Sequence, residues 1–285
     1  MVRQDTGKFR KNTKDQFYTH TDVSKRCIDK IHSLFPNIAT YKWIEPSAGD
    51  GAFLHHIPDA YDKVGIDIDP KSVDIITEDF LKWTLSPAPA PKPIIVFGNP
   101  PFGRQSSIAK AFIIKSCQFA DIIAFILPKS FTKPSMSNAF NIQFHCIYSE
   151  ELEKNAFVIN GSGYDVPCVF QIWEKKEEPR VLEKKIEALG FQYVKSNEKY
   201  DIALRRVGGR AGQCYKNQND GTAYSLQSHY FIKFNDTLLL DSYIESINAH
   251  VFPSNTVGPR SLSKSEINLV LNALIIQHRQ QSHVS

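Results

Sequence analysis

Short apolar runs separated by turns and helical patterns fill the first half of this chain, and they restrict its fold more than any other feature. YKWIE (41–45) leads into a glycine turn, DKVGID (62–67) ends in acids, and PIIVFG (93–98) precedes a helical stretch over 106–119. DIIAFILP (121–128) closes the series. Ahead of them, Val23, Cys27, Ile28, Ile31 and Leu34 recur at helical spacing across 21–35, and Pro36 stops the helix. Strands alternating with helices and turns predict a mostly parallel, doubly wound α/β sheet. FHCIYSEEL (144–152) and VPCVFQIW (166–173), flanking NGSGYD, predict an antiparallel hairpin at the sheet edge.

The rest of the chain divides around this block. Residues 1–15 carry Lys8, Arg10, Lys11 and Lys14 with little apolar content and read as a flexible basic arm. SPAPAPKP, between Trp83 and the third strand, reads as an extended surface loop, because its prolines withhold backbone donors. The charge-rich KKEEPR (175–180) marks a boundary, which gives a block over 16–176 and a small α+β region over 177–285. In that region the pattern predicts a short helix over 180–189, strands at FQYVK, DIALRRV and 228–234, and a glycine- and asparagine-rich turn. Ser263-x-x-Glu266 predicts a capping box that opens a final amphipathic helix.

Composition excludes some classes. No run of 18 apolar residues predicts a membrane span. The five cysteines are scattered without C-x-x-C, which argues against a zinc ribbon or disulfide framework and fits reduced thiols in a cytosol or nucleus. The nine histidines form no H-x-E or H-x3-H set, so no metal site is predicted. His55-His56, placed on a first helix after the glycine turn, reads as a solvent-facing pair. A net charge of +4 permits a polyanionic partner without proving one.

The chemistry concentrates in the turns after the strands. Glu45-Pro46-Ser47-Ala48-Gly49-Asp50-Gly51 lies where the first strand ends and a helix is expected, so close backbone approach and free N–H groups suit a ligand. It is not G-x-G-x-x-G, which leaves a dinucleotide reading weak. Asp67 ends the second strand, where α/β cofactor folds present a carboxylate to ribose hydroxyls, whereas Asp69 before Pro70 reads as a helix cap. Asp79-Phe80 suits the amine and face of an adenine ring, or equally a surface acid beside a core phenylalanine. Asn99-Pro100-Pro101-Phe102 is a rigid turn. Its amide oxygen and a proline carbonyl form two acceptors that match an exocyclic NH2, and the adjacent Phe offers a stacking surface.

Taken in order, F-Y-T (Phe17-Tyr18-Thr19), E-P-S-A-G-D-G-A-F-L, G-I-D-I-D-P, E-D-F-L-x-W and N-P-P-F resemble the S-adenosylmethionine-dependent N6-adenine methyltransferases, across about residues 15–175. The resemblance is to the branch in which the cofactor motif precedes the catalytic one. It implies a Rossmann-like seven-stranded, mostly parallel sheet with an antiparallel edge hairpin, and S-adenosyl-L-methionine as cofactor. By position, Thr19 and the loop Glu45, Pro46, Ser47, Ala48, Gly49, Asp50, Gly51 would hold the methionine part. Asp67 with the adjoining Ile68 would meet the ribose, and Asp79 with Phe80 the adenine. Asn99 and Pro100 would grip the target amine, followed by Pro101, and Phe102 would stack on the target base. Phe157 falls where similar enzymes keep a second base-contacting aromatic, though a core Phe explains it as well.

The expected reaction is direct in-line methyl transfer to adenine N6 in nucleic acid, with DNA placed ahead of RNA and base flipping required in a duplex. Only about 110 residues follow the hairpin, in place of a large recognition domain. Within them Arg205, Arg206 and Arg210, interleaved with Gly208 and Gly209 and followed by Lys216, read as a flexible basic loop for phosphates or as a solvated hairpin. The rival readings are methylation of a protein glutamine amide, since such enzymes share N-P-P plus an aromatic, and an inactive nucleic-acid-binding member of the fold.

Overall fold

The computed structural model describes residues 18–87, 90–159, 162–182, 184–217, 224–253, 256 and 259–282. The basic arm read at 1–15 and Phe17 of the F-Y-T segment lie outside the described residues. The chain divides into two compact units, Met1–Leu182 and Glu183–Ser285. Among the described residues no helix is long and apolar enough to cross a membrane.

The first unit begins with β1 (Tyr18–Thr19) and α1 (Thr21–Leu34). Its central strands are β2 (Lys42–Glu45), β3 (Asp62–Asp67), β4 (Ile75–Thr77), β5 (Ile94–Gly98), β6 (Ile122–Pro128) and β7 (Phe144–Glu151). A short hairpin, β8 (Phe157–Ile159) and β9 (Ser162–Tyr164), precedes β10 (Cys168–Lys175). The seven-stranded sheet runs β4-β3-β2-β5-β6-β10-β7. Every neighbour pair is parallel except those of β10, which is antiparallel to both β6 and β7. This is the Rossmann-like sheet that the sequence implied. All of β5 and β6 is buried, which explains why those strands read as unbroken apolar runs and not as alternations.

Two expectations fail in this unit. No α-helix follows the glycine turn: the chain makes only a three-residue 3-10 turn, Leu54–His56, before Pro58 and the start of β3. His55 and His56 therefore sit on that turn. The Leu54 N–H donates to the Glu45 carboxylate at 3.0 Å, so a side chain takes the place of the expected first helical turn. The antiparallel pair of β7 and β10 at the sheet edge forms as expected, but NGSGYD is no simple connection between them. Residues 162–164 form β9, and β8 pairs with β1 through Tyr18↔Val158 and Thr19↔Phe157. Asn160 and Gly161 lie outside the described residues.

α2 (Ser107–Ser116) links β5 to β6, and α3 (Pro134–Ser137) follows β6. Arg180 ties the end of this unit down by donating to the carbonyls of Ser137, Phe140, Asn141 and Phe144 at 2.6–3.2 Å. Its guanidinium also lies over the Trp173 ring, 5.3 Å from the centroid.

The second unit is an antiparallel sheet, β11 (Phe191–Val194), β12 (Ile202–Arg205), β13 (Cys214–Lys216) and β14 (His229–Phe234), ordered β11-β14-β12-β13. One face packs on α4 (Leu240–Ala249) and α5 (Lys264–Ser282) through Ile202, Leu204, Ile232, Ile247, Ile267 and Leu271. The capping box forms: Ser263 N donates to Glu266 Oε2 at 2.7 Å, and Glu266 N to Ser263 Oγ at 3.2 Å. The helix expected over 180–189 does not. Instead, Asn268 and Asn272, one turn apart on α5, donate to the carbonyls of Ile186 and Glu187 at 2.7 and 2.8 Å. Leu189 N donates back to Asn272 Oδ1 at 2.9 Å, so these groups are spent on α5 and not on a helix of their own.

Candidate functional site

The sheet order reverses between β2 and β5. The chain travels outward through β3 and β4, then crosses back to place β5 beside β2. At such a reversal the loops beyond the carboxyl ends diverge and leave a crevice, the usual place for a ligand in this architecture. A cavity of about 440 Å³ occupies it, walled by the turn after β2, the acids after β3, Asp79 to Leu81, and Asn99 to Pro101.

The turn after β2 is fixed by its own hydrogen bonds. Ala48 N donates to Ile66 O at 3.0 Å, and Lys71 N donates to Gly49 O at 2.8 Å. Gly49 sits at φ +54°, and a Cβ there would lie 3.4 Å from the Tyr18 ring. A side chain at that position would strain the backbone, because L residues rarely adopt this φ. Gly49 N donates to Asp67 Oδ2 at 2.8 Å, and Asp69 N to Asp67 Oδ1 at 2.8 Å. Asp67 thus clamps the glycine turn while lining the cavity. A carboxylate has about four lone-pair sites, so two N–H partners leave capacity for hydroxyl donors.

Glu45 is 2% exposed, and burial pushes its carboxyl well above the usual carboxylate range, against the lowering effect of the Leu54 N–H. Asp50 accepts from Ala52 N at 3.2 Å, and Asp79 from Leu81 N at 3.0 Å. Ile68, 74% exposed, adds an apolar wall. Phe80 lines the cavity, but its ring is buried among Trp83, Phe112 and Phe119, with centroids 5.2–6.3 Å away. Its face belongs to that aromatic cluster. The acid and the aromatic therefore divide as the sequence left open, with Asp79 at the wall and Phe80 largely in the core.

The two loops meet at Asn99. Ser47 Oγ donates to Asn99 O at 3.0 Å, and Asn99 Nδ2 donates to Thr19 Oγ1 at 3.2 Å. One of the two N–H donors of the amide goes to Thr19, and its oxygen is the end that can accept. Pro100 and Pro101 line the same cavity. Phe102 does not. It is 6% exposed and lies outside the cavity wall, so its ring offers no open face to a base. Phe157 is 0% exposed in the strand that pairs with β1, a core position and not a second base platform. Gly51 carries φ +84° but stands behind the wall formed by its neighbours.

Several wall residues escaped the sequence reading. Tyr18, Asp69 and Leu81 belong to the F-Y-T, G-I-D-I-D-P and E-D-F-L-x-W motifs, but the motifs alone give them no role at the site, and the helix that Asp69 would cap is absent. Ile108 and Phe112 come from α2, where spacing of four on one helical face was the available signal.

The second unit holds the basic residues. The stretch after β12 is knitted, not flexible: Gly212 N donates to Arg205 O at 2.7 Å, and Gly208 N to Arg260 O at 2.9 Å. Arg205 Nε donates to Val207 O at 3.2 Å, Arg206 to Gln227 O at 3.0 Å, and Arg210 is exposed. Lys216 is ion-paired with Asp241 at 2.6 Å.

No protein-family model matches the chain, and no curated protein matches it. Solved structures resemble its fold at low identity. A protein from Pyrococcus horikoshii is 16% identical with a TM-score of 0.45, over 58% of this chain and 90% of that one. The 23S rRNA methyltransferase ErmE is 14% identical with a TM-score of 0.42, over 57% and 71%. The methyltransferase subunit of a type I restriction-modification system from Streptococcus thermophilus is 14% identical with a TM-score of 0.42, over 56% and 45%. The matched region thus spans less than half of the last.

Proposed function

We propose that this chain is an S-adenosylmethionine-dependent methyltransferase acting on the N6 amine of adenine in nucleic acid, with DNA ahead of RNA. One observation carries the reading: the Asn99 turn is bonded both to the glycine turn, through Ser47, and to Thr19, on the wall of a single cavity. A cofactor loop and an amine-gripping loop therefore share one space.

The cavity fits the proposed cofactor. Its volume falls in the range of about 300–1,000 Å³ typical of small-molecule sites. Asp50, Asp67, Asp69 and Asp79 make its wall acidic, which complements a ligand carrying an ammonium and a sulfonium. S-adenosyl-L-methionine supplies an electrophilic methyl group on a positively charged sulfur. Asp67 is placed to hold ribose hydroxyls with its remaining lone pairs, Asp79 to accept from the adenine amine, and Ile68 to cover the ring.

The chain's part in the reaction is orientation. Adenine N6 is a poor nucleophile because its lone pair is delocalised into the ring. The Asn99 side-chain oxygen and the Pro100 carbonyl accept its two hydrogens and favour a pyramidal nitrogen with its lone pair directed along the line of transfer. As the bond to N6 forms, the methyl–sulfur bond would break with its electron pair left on sulfur, giving neutral S-adenosylhomocysteine, and the extra N6 proton would pass to solvent, so no strong base is required. The buried Phe102 acts from beneath the turn, by packing, and not as the platform for the base.

The test is transfer of labelled methyl to separate DNA, RNA and protein pools, followed by nucleoside and amino-acid analysis. N6-methyladenine is the expected product, with DNA labelled more strongly than RNA. Oligonucleotides in which purine replaces adenine should accept no label. Label recovered in glutamine would overturn the reading.

A further inference from the structure

The second unit brings together cations that are far apart in the chain. Val207 bridges Ser261, Gly208 N donates to Arg260 O at 2.9 Å, and Leu262 N donates to Arg206 O at 2.8 Å. These bonds lay the stretch 206–208 along the stretch 260–262, just before α5, and Arg206 and Lys264 meet over one ring, that of Tyr230. Arg205 pairs with His229 across β12 and β14, on the opposite face of the sheet from Leu204 and Tyr230. Among the described residues, neither Arg206 nor Lys264 is ion-paired with a carboxylate. Glu266, the acid next in sequence, already accepts from Ser263 N and Oγ at 2.7 and 2.8 Å.

The surface is also held in place. Lys264 Nζ lies over Tyr193, 4.3 Å from its centroid, and 5.8 Å from that of Tyr230. Arg206 lies 5.2 Å from the Tyr230 centroid while donating to Gln227 O. Tyr193 donates to Asn268 Oδ1 at 2.7 Å and is thereby anchored to α5. Each guanidinium has five N–H donors, so one bond to a carbonyl positions it and leaves most donors for a ligand.

We propose that Arg206 and Lys264, seated on Tyr230 and Tyr193, form a binding strip for the sugar-phosphate backbone of a nucleic-acid strand. Unpaired cations on an ordered surface, interleaved with aromatic rings, match a polyanion whose charges repeat along a chain. This rests on nucleic acid being the substrate and adds where the strand is held, independently of sequence. Sequence alone offered Arg206; Lys264 and the two tyrosines enter only through the fold.

The experiment measures binding of the full chain to a fluorescently labelled oligothymidylate, which contains no adenine, across a salt series. Replacing both Arg206→Gln and Lys264→Gln removes two phosphate contacts. It should lower the slope of log K against log salt by about 1.4 and weaken binding roughly twentyfold at 0.1 M salt. Lys264→Arg should keep the wild-type slope, and circular dichroism should show the variants folded. A folded double variant with wild-type slope overturns the strip, even where methyl transfer to adenine remains. The lowered slope in a chain that methylates no substrate supports the strip and sinks the functional reading instead. Loss of binding to phosphatidylserine vesicles with an unchanged oligonucleotide slope also overturns it, in favour of a membrane surface.

Discussion

Asn99 is oriented by a bond to a side chain 80 positions away, Thr19 Oγ1, and it sits where the amine is expected. Asn99→Ala should leave cofactor affinity nearly unchanged by calorimetry while cutting methyl transfer by orders of magnitude. Asp67 does two jobs at once, so Asp67→Ala should cost more than ribose contacts alone. Each charge-assisted bond is worth about 1.5–3 kcal/mol, and the variant also releases Gly49 N and Asp69 N. Calorimetry should show cofactor affinity down more than about a hundredfold. Glu45 adds a pH dependence. Its folded pKa is raised by burial, so the folded state holds a proton that the unfolded state releases between the ordinary and the raised value. Stability should therefore fall as pH rises through that window, and Glu45→Gln should flatten this part of the urea-midpoint profile. Residue chemistry was legible where type and position sufficed: the acids and Asn99 all reach the cavity wall. What Asp67 grips, and that Phe102 and Phe157 are buried, depends on which segments meet, and no local pattern records that.

Elements followed the same division. Helix α1 matched its apolar period because one amphipathic face packs inward, and Ser263-Glu266 formed its capping box because both partners lie within one turn. The helices expected after Gly51 and over 180–189 failed because long-range side chains claimed their backbone groups: Glu45 in one case, Asn268 and Asn272 in the other. Helix α4 went unread; its segment LDSYIESINA carries buried Leu240, Tyr243 and Ile247 among polar residues and gives only a short period. Ser263→Ala should destabilise the second unit by about 1 kcal/mol, read as a lower denaturant midpoint with unchanged slope.

For the molecule as a whole, the strand-and-turn alternation announced a parallel sheet, but not the order of its strands, which is decided by contacts across up to the length of the unit. The second unit has its own sheet, helices and core, from Phe191 to Ile275. Expressed alone as residues 183–285, it should give a single cooperative urea transition, and a broad, uncooperative one would show that its core is insufficient.

The placement of β10 also governs the order of assembly. β7 pairs within the central sheet only with β10, and β10 is made after it, so while the chain emerges from a ribosome β7 waits without a neighbour. Until residue 175 is out, β6 likewise presents an open edge, and both are templates for mispairing with another nascent chain. Pairing in the final sheet spans the short β8–β9 hairpin, so ribosome-stalled chains ending before β10 should bind chaperones, and those extending well past Lys175 should release them.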